Sequence, residues 1–482
     1  MNGVTYFKNK VNFLQQSFLY LLVGVGVGMT LVFIPAEYFL LAVVGCGVLV
    51  GVCRKPEVGV LIIFLMTSSI VFQENMPMLP IGIGSLHLTD IVLVSLLGTI
   101  FIRRYTGNRE SLVRTPVDIP LLLFYVTAVF TSAIAVKFGG LDATQMIRGI
   151  RPITYYLVFF VATNLIRDKK QLNFIIRGLF ISAAIVAIAM VLQVLVGDSI
   201  QLIPGRVEQA NAEYDALRIL PPGETQLYYA LVVTLCLSVV REISVVRLLP
   251  LTMLYGVGIL LTYNRSFWVA ILLTIAILLL TLSAKCKKRI LVYLTMVAIS
   301  GFFTVTAFKG KSMVMDSYHS MSDRFVSLFG NDKLLKSESL EYRYLENHYA
   351  LKQIAEHPAL GIGVGKAYRP ILFGADDELD SYMHNGYLWL VTDVGIVGFL
   401  FFIWFYFGFI FRGLRNWKSA GDERLRALVV GFTMSSIGML FVAVVNPVFM
   451  EGNSIVVIAL FAGLIETAVR LNNPTNGVRN GC

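Results

Sequence analysis

Three residues in this chain have the chemistry to act on a charged substrate. Arg265 sits in "LTYNRSFWVA" (261–270), at a tight turn between two apolar runs. Arg343 lies in "EYRYLENHY" (341–349), and His384 heads "HNGYLWLVTDVGIVGF" (384–399). An arginine at a hydrocarbon boundary is costly unless it reaches water or meets an anion. Its planar fork suits phosphate better than a lysine does. A neutral imidazole can accept a proton near pH 7. Each residue taken alone also has a plain role. Arg265 would anchor at an interface beside Trp268, Arg343 would pair with Glu341 or Glu346 on a solvated helix, and His384 or Asn385 would cap a helix. Were the two arginines to meet one anion, both would take on a binding role.

Other chemistries have little support. The five histidines, at 87, 319, 348, 357 and 384, form no HExxH or HxxxH pattern, and His348 and His357 are nine apart. "DDELD" at 376–380 has the oxygens to bind a divalent ion but reads better as a solvated acidic turn. No Ser/His/Asp signature or P-loop is present, so no metal or cofactor is implied. "GIGVG" at 361–365 is too lax for a dinucleotide motif. It is expected to form a flexible turn whose backbone amides can approach a ligand.

The elements that must position these residues follow from composition. Of 482 residues, 56% are hydrophobic and 15% charged, and the mean hydropathy is +0.74. A soluble domain carries about 25% charged residues. Crossing a bilayer takes about 20 apolar residues per helix. Runs of suitable character lie at 17–34, 37–53, 58–73, 89–102, 119–136, 152–166, 172–197, 223–240, 248–263, 266–283, 290–308, 386–411, 426–446 and 453–470. The expected fold is an all-α polytopic membrane protein of about 12–14 transmembrane helices, several of the runs being short enough to be tilted or broken.

The 40 Lys and Arg against 30 Asp and Glu do not call for nucleic acid. Walked from an N-terminus bearing Lys8 and Lys10, every second connection is short and basic: Arg54-Lys55, "RRYTGNRESLVR" (103–114), "RDKK" (167–170), "REISVVR" (241–247), "KCKKR" (285–289) and "FRGLRNWKSAGDERLR" (411–426). By the positive-inside rule both termini are cytoplasmic, with anionic lipid as the partner of the excess charge. Cys46, Cys53, Cys236, Cys286 and Cys482 then fall in spans or on the cytoplasmic side, so no disulfide framework is expected. The first span reads as an uncleaved anchor, preceded by a stretch (1–16) able to lie in the interface.

The organisation expected is a bundle over 1–308 with about eleven helices, a large outer loop over 309–385, further transmembrane helices over 386–470 and a cytoplasmic tail over 471–482. A loop that long should carry structure of its own. Residues 339–357 read as a helix stopped by Pro358, followed by the glycines. The outer segments 137–152 and 197–224 are placed to pack over or beside it.

"LTYNRSFWVA", then "YRYLENHYALKQIAEHPALGIGVG", then "HNGYLWLVTDVGIVGF" resemble the O-antigen ligase and polymerase family of bacterial envelope enzymes. The last fits that family's histidine, ten residues, glycine pattern from His384 to Gly395. The likeness covers roughly 250–410. It implies a metal-independent, inverting glycosyltransferase of the bacterial inner membrane, with its site facing the periplasm. Such an enzyme moves a glycan from undecaprenyl diphosphate to lipid A-core or to another glycan. His384 would be the catalytic base, with Arg265 and Arg343 as diphosphate clamps. The family's loop arginine is commonly followed four residues later by Leu or an aromatic residue. Arg343 is followed by Asn347, whereas Arg324, in "RFVSL", has the leucine. Arg324, Arg148, Arg151, Arg218 and His348 are further possible diphosphate or loop contacts. The rival reading is a transporter or flippase of a lipid-linked glycan or small solute. Internal repeats and mid-membrane polar groups would mark one, whereas here the chain shows no repeat, and Arg177 is the main ionisable residue noticed inside a span.

Overall fold

The structure, a computed structural model, describes residues 47, 49–68, 70–72, 79–81, 84–105, 112–198, 200–211, 214–240, 245–307, 312–326, 338–370, 380–418 and 421–472. Expectations for 1–16, the first span, Cys46, residues 376–379 of the acidic turn, Cys482 and most of the tail lie outside them. The chain forms two compact units, Met1–Lys55 and Pro56–Cys482. In the first, residues 49–54 are helical. The second contains everything that follows.

Helices dominate because a chain in lipid must satisfy its backbone hydrogen bonds internally. In order they are α1 (Pro56–Met66), α2 (Leu88–Tyr105), α3 (Asp118–Phe138), α4 (Ala143–Thr154), α5 (Val158–Leu165), α6 (Lys169–Val196), α7 (Glu224–Val240), α8 (Val245–Leu261), α9 (Arg265–Thr281), α10 (Ala284–Ala307), α11 (Ser312–Val326), α12 (Glu338–Glu356), α13 (Gly386–Asn416), α14 (Glu423–Val442) and α15 (Gly452–Asn472). Two short antiparallel hairpins interrupt them: β1 (Leu79–Ile81) with β2 (Gly84–Leu86), and β3 (Arg206–Asn211) with β4 (Tyr214–Leu220). Every apolar run from 58 onward coincides with one or more helices. Among the described residues, α3, α6, α13, α14 and α15 are long and apolar enough to cross a membrane. Shorter apolar helices run over Pro56–Met66, Glu224–Val240, Arg247–Leu261 and Arg265–Thr281. The protein is an all-α polytopic membrane protein.

The core lies where α7, α14 and α15 meet. Residues Thr225 to Val239 are all buried, as are Ser454 to Ala468. Helices without a hydrophobic force between them associate through close backbone approach and side-chain hydrogen bonds. Gly431 on α14 lies against Val233 of α7, and Gly463 on α15 against Ala162 and Phe159. Tyr229 and Ser436 share a hydroxyl hydrogen bond of 2.9 Å, and Thr225 and Ser454 one of 2.8 Å. Outer helices expose apolar side chains such as Phe130, Ile181, Leu280 and Phe411, the faces that lipid would cover.

Ionisable residues within the helices are more numerous than Arg177 suggested. Arg412 on α13 donates two hydrogen bonds, 2.8 and 2.7 Å long, to buried Glu466 on α15, and Asp393 is buried on α13. Arg177 itself is exposed on α6.

The long connection before α13 is tied to a break in that helix. Gly395 has φ 67° and ψ −178°, so the helical hydrogen bonds around it are released. The freed carbonyls of Thr392 and Asp393 accept from the amides of Ile362 (2.9 Å) and Gly363 (3.0 Å), and the freed amides of Ile396 and Val397 donate to Pro358 (2.9 Å) and Ala359 (3.2 Å). The Asp393 carboxylate accepts from the Gly365 amide and from Trp389 Nε1, and Ser132 Oγ accepts from the Val364 amide. The expected flexible amide cradle at "GIGVG" is therefore a fixed clasp. Its amides bond the protein's own helix and are not free for a ligand.

Candidate functional site

Arg265 opens α9 from a strained turn. Tyr263 has φ 50°, a left-handed conformation rare outside glycine, and such strain persists where its surroundings enforce it. Arg324 of α11 supplies that enforcement. Its guanidinium stacks over the Tyr263 ring at 5.3 Å and donates to the carbonyls of Tyr263 (3.2 Å) and Ala210 (2.6 Å). Asn264 then bridges two helices, donating from Nδ2 to Glu224 Oε1 at 3.1 Å while its Oδ1 accepts from Ser266 at 2.8 Å. Among the described residues, the buried Nε of Arg265 has no hydrogen-bond partner.

Arg343 is brought to the same place from α12, and its Nε is likewise buried without a hydrogen-bond partner. Burial, opposed by the nearby Glu346 charge, lowers its pKa from the ordinary arginine value. The charges of Arg218 and Arg343 both bear on Arg265. Arg218 comes from β4, where it pairs across the hairpin with Glu208 at 2.8 Å and donates to the Thr262 carbonyl at 3.1 Å. Arg324 feels Arg218 and Arg265 as well, and burial pushes its pKa down to about 10. Like charges gathered in a partly buried place repel. A bound anion with several oxygens would relieve that repulsion and accept from the two unpartnered Nε groups.

His384 stands at the approach to α13, whose first turn Asn385 caps by accepting from the amides of Tyr387 and Leu388, each at 3.1 Å. The Nδ1 of His384 lies 2.9 and 3.1 Å from the two carboxylate oxygens of Glu346, and its backbone amide donates to Glu346 Oε2 at 3.1 Å. Glu346 therefore partners the histidine and forms no ion pair with Arg343 among those described. The rings of Tyr382 and Tyr342 meet the imidazole edge-on, at 5.1 and 6.3 Å between centroids. Arg369 stacks on Tyr342 at 5.2 Å and hydrogen-bonds its hydroxyl.

A second acidic group adjoins this set. The Tyr382 hydroxyl donates to Glu451, in the turn before α15, and the Arg206 charge acts on both. Burial raises the Glu451 carboxyl to about 7 against these stabilising partners. Glu451 also repels Glu224 at the start of α7.

The remaining candidates are distributed differently. Arg151 ties α4 to the first hairpin and α2, lying 3.4 Å from Asp90 and donating to the Ser85 carbonyl. Arg148 is exposed on α4, and His348 is exposed on α12, two residues from buried Glu346. Arg343 and Arg324 each lie within electrostatic range of both Arg265 and Arg218, and His384 joins them through Glu346. Sequence reasoning missed Arg206, Glu451 and Tyr382, which meet through tertiary packing. It set Glu346 or Glu341 beside Arg343, whose charge Glu346 does feel, and missed the hydrogen bonds of Glu346 to His384. A local signal existed: Glu346 and Ala350 lie one helical turn apart on the face that α12 buries.

No curated protein matches the chain. Residues 250–403, which include Arg265, Arg343, Glu346 and His384, match the family model described as O-antigen ligase. Over that segment, about a third of its length, the chain is similar to the O-antigen ligase family.

Proposed function

We propose that the protein is a glycosyltransferase of the bacterial inner membrane that moves a glycan from undecaprenyl diphosphate to a sugar hydroxyl at the periplasmic face. The carrying observation is the pair of guanidinium groups, Arg265 and Arg343, with buried unpartnered Nε atoms, on the same side as a histidine whose Nδ1 is already engaged. The basic connections that alternate along the chain support a site facing away from the cytoplasm.

In this reading Arg265 and Arg343 hold the carrier diphosphate, with Arg218 adding charge. His384 Nε2 takes the proton from the acceptor hydroxyl as its oxygen bonds to the anomeric carbon. The bond from that carbon to the diphosphate oxygen breaks, and its electron pair leaves with the undecaprenyl diphosphate. Negative charge grows on the leaving group, where arginines already in place stabilise it most. Attack opposite the leaving group inverts the anomeric centre. The step draws on no metal or other cofactor. Gathering these residues at one end of the bundle suits an enzyme better than a transporter, whose polar groups should continue through the mid-membrane.

Lipid A-core and a second lipid-linked glycan are both acceptors for such a site. Purified protein given a labelled undecaprenyl diphosphate-linked repeat, with and without lipid A-core, separates them. Products that lengthen without core identify a polymerase, whereas transfer only when core is present identifies a ligase. No transfer with either acceptor would remove the glycosyltransferase reading.

A further inference from the structure

We infer that Glu346 is a positioning residue for His384, holding its imidazole in the tautomer that leaves Nε2 as the proton acceptor. This rests on the glycosyl-transfer reading of the site.

The argument begins with burial. Glu346 is fully buried, and a carboxylate taken from water must find donors close by. His384 supplies them twice. Its backbone amide donates at 3.1 Å, and its Nδ1 lies within 3.1 Å of both carboxylate oxygens. A carboxylate only accepts, so the nitrogen facing it carries the proton. In the neutral ring the other nitrogen, Nε2, then holds the lone pair. The ring cannot readily turn to exchange the two. The backbone is pinned on either side by the amide bond to Glu346 and by the Gly386 amide donating to the Ala443 carbonyl at 2.9 Å. Tyr382 and Tyr342 bracket the ring, and Arg369 holds Tyr342. The buried cluster of Ala350, Ile362, Tyr368 and Met383 packs beside this pair.

Geometry also connects this role to the leaving group. Arg343 and Glu346 lie three residues apart on α12, close to one face of the helix. One rigid element therefore carries both a guanidinium for the diphosphate and the carboxylate that aims the base. The clasp of "GIGVG" into the broken α13 ties the segment after α12 to the helix that His384 precedes. Two catalytic components from distant parts of the chain thereby share one frame.

Two other roles for Glu346 make different demands. A purely structural carboxylate would lower stability when replaced, with activity falling in step. A carboxylate that only tempers the Arg343 charge would change carrier binding.

The test uses full-length protein in proteoliposomes and compares wild type, Glu346→Gln, Glu346→Asp, His384→Ala and the double variant Glu346→Gln/His384→Ala. Turnover, KM for the lipid-linked donor, binding of undecaprenyl diphosphate and thermal midpoint are measured for each. Positioning predicts that Glu346→Gln lowers kcat by roughly 100-fold, within the range for general-base catalysis, with KM and carrier binding changed by less than about threefold. Glu346→Asp recovers part of the loss. The double variant is no slower than His384→Ala alone, because residues acting as a unit are not additive. Wild-type kcat in Glu346→Gln overturns the inference, as does a double variant slower than His384→Ala by the full Glu346→Gln factor. A loss confined to carrier binding overturns it too. If His384→Ala itself turns over normally, the base assignment fails first and Glu346 falls with it. That outcome is distinct from a Glu346 that proves dispensable beside an essential histidine.

Discussion

The amide of Ile362 donates to the carbonyl of Thr392 at 2.9 Å, joining the glycine segment after α12 to the interrupted turn of α13. The interruption exists because Gly395 adopts φ 67°, and no side chain could be added there without striking the Ala359 carbonyl. Gly361 faces the same seam, where a methyl would come within 2.5 Å of the Thr392 carbonyl oxygen.

Gly395→Ala should therefore loosen α12 from α13. A backbone at φ 67° and ψ −178° is essentially confined to glycine and costs another residue about 1–3 kcal/mol, before the clash is counted. The expected result is a lower thermal midpoint together with lost turnover. Gly98→Ala on α2 is the control: open space surrounds that position, and alanine favours a helix. A wild-type midpoint and turnover in Gly395→Ala would contradict the clasp.

Arg265→Lys keeps the charge and removes the fork. If the guanidinium grips a diphosphate through more than one nitrogen, carrier binding should weaken by about tenfold or more, since the variant loses one of two parallel charge-assisted hydrogen bonds, each worth about 1.5–3 kcal/mol. Arg148→Lys, on an exposed position of α4, should bind as wild type. Equal binding by all three proteins, measured by carrier titration, would leave Arg265 as an anchor.

Glu451 gives a dependence on pH with a definite sign. Its carboxyl is raised from an ordinary 4.5 to about 7 by burial. Between those values the folded protein holds more protons than the unfolded chain, so stability falls as pH rises from about 4.5 to 7 and then levels. Glu451→Gln removes that term, and the amide oxygen can still accept from Tyr382. The variant should match wild type near pH 4.5 and melt at a higher temperature near pH 8. Parallel midpoint curves for the two proteins would remove Glu451 from the account.

The pair of Arg412 and Glu466 allows a test of architecture away from the site. Arg412 lies 26 residues along α13 from Gly386, about 40 Å of helix. Arg412→Met strands the buried Glu466 charge and should cost roughly 3–5 kcal/mol. Arg412→Met/Glu466→Met should recover most of that, since well-packed apolar replacements of a buried pair are often neutral or better. Thermal midpoints of the two variants measure this directly.

The helices were legible because each apolar run had the length and punctuation of a membrane element. Pro358 stopped α12, and Asn385 capped α13. The expectation that 197–224 packs beside the large loop is met by Arg324 reaching the Ala210 carbonyl. The strands of that segment went unread, because six- and seven-residue strands give only a short alternating signal. "GIGVG" was misread for a related reason. Glycine spacing reports freedom from side chains but not what approaches, and here it is the protein's own broken helix. Arg265 and His384 stood out as polar residues at the edges of apolar runs, and Arg343 through the family resemblance. Glu451, Arg206 and Tyr382 did not, because their significance comes from contacts between distant segments.

The most direct test of the account is single-turnover glycan transfer by His384→Ala, with carrier binding measured on the same preparation. With Arg265 and Arg343 intact, the variant should bind undecaprenyl diphosphate within about twofold of wild type. Transfer should be slower by roughly 100-fold or more, the scale of a lost general base. Transfer at the wild-type rate would show that the acceptor proton leaves by another route, and would contradict the central claim.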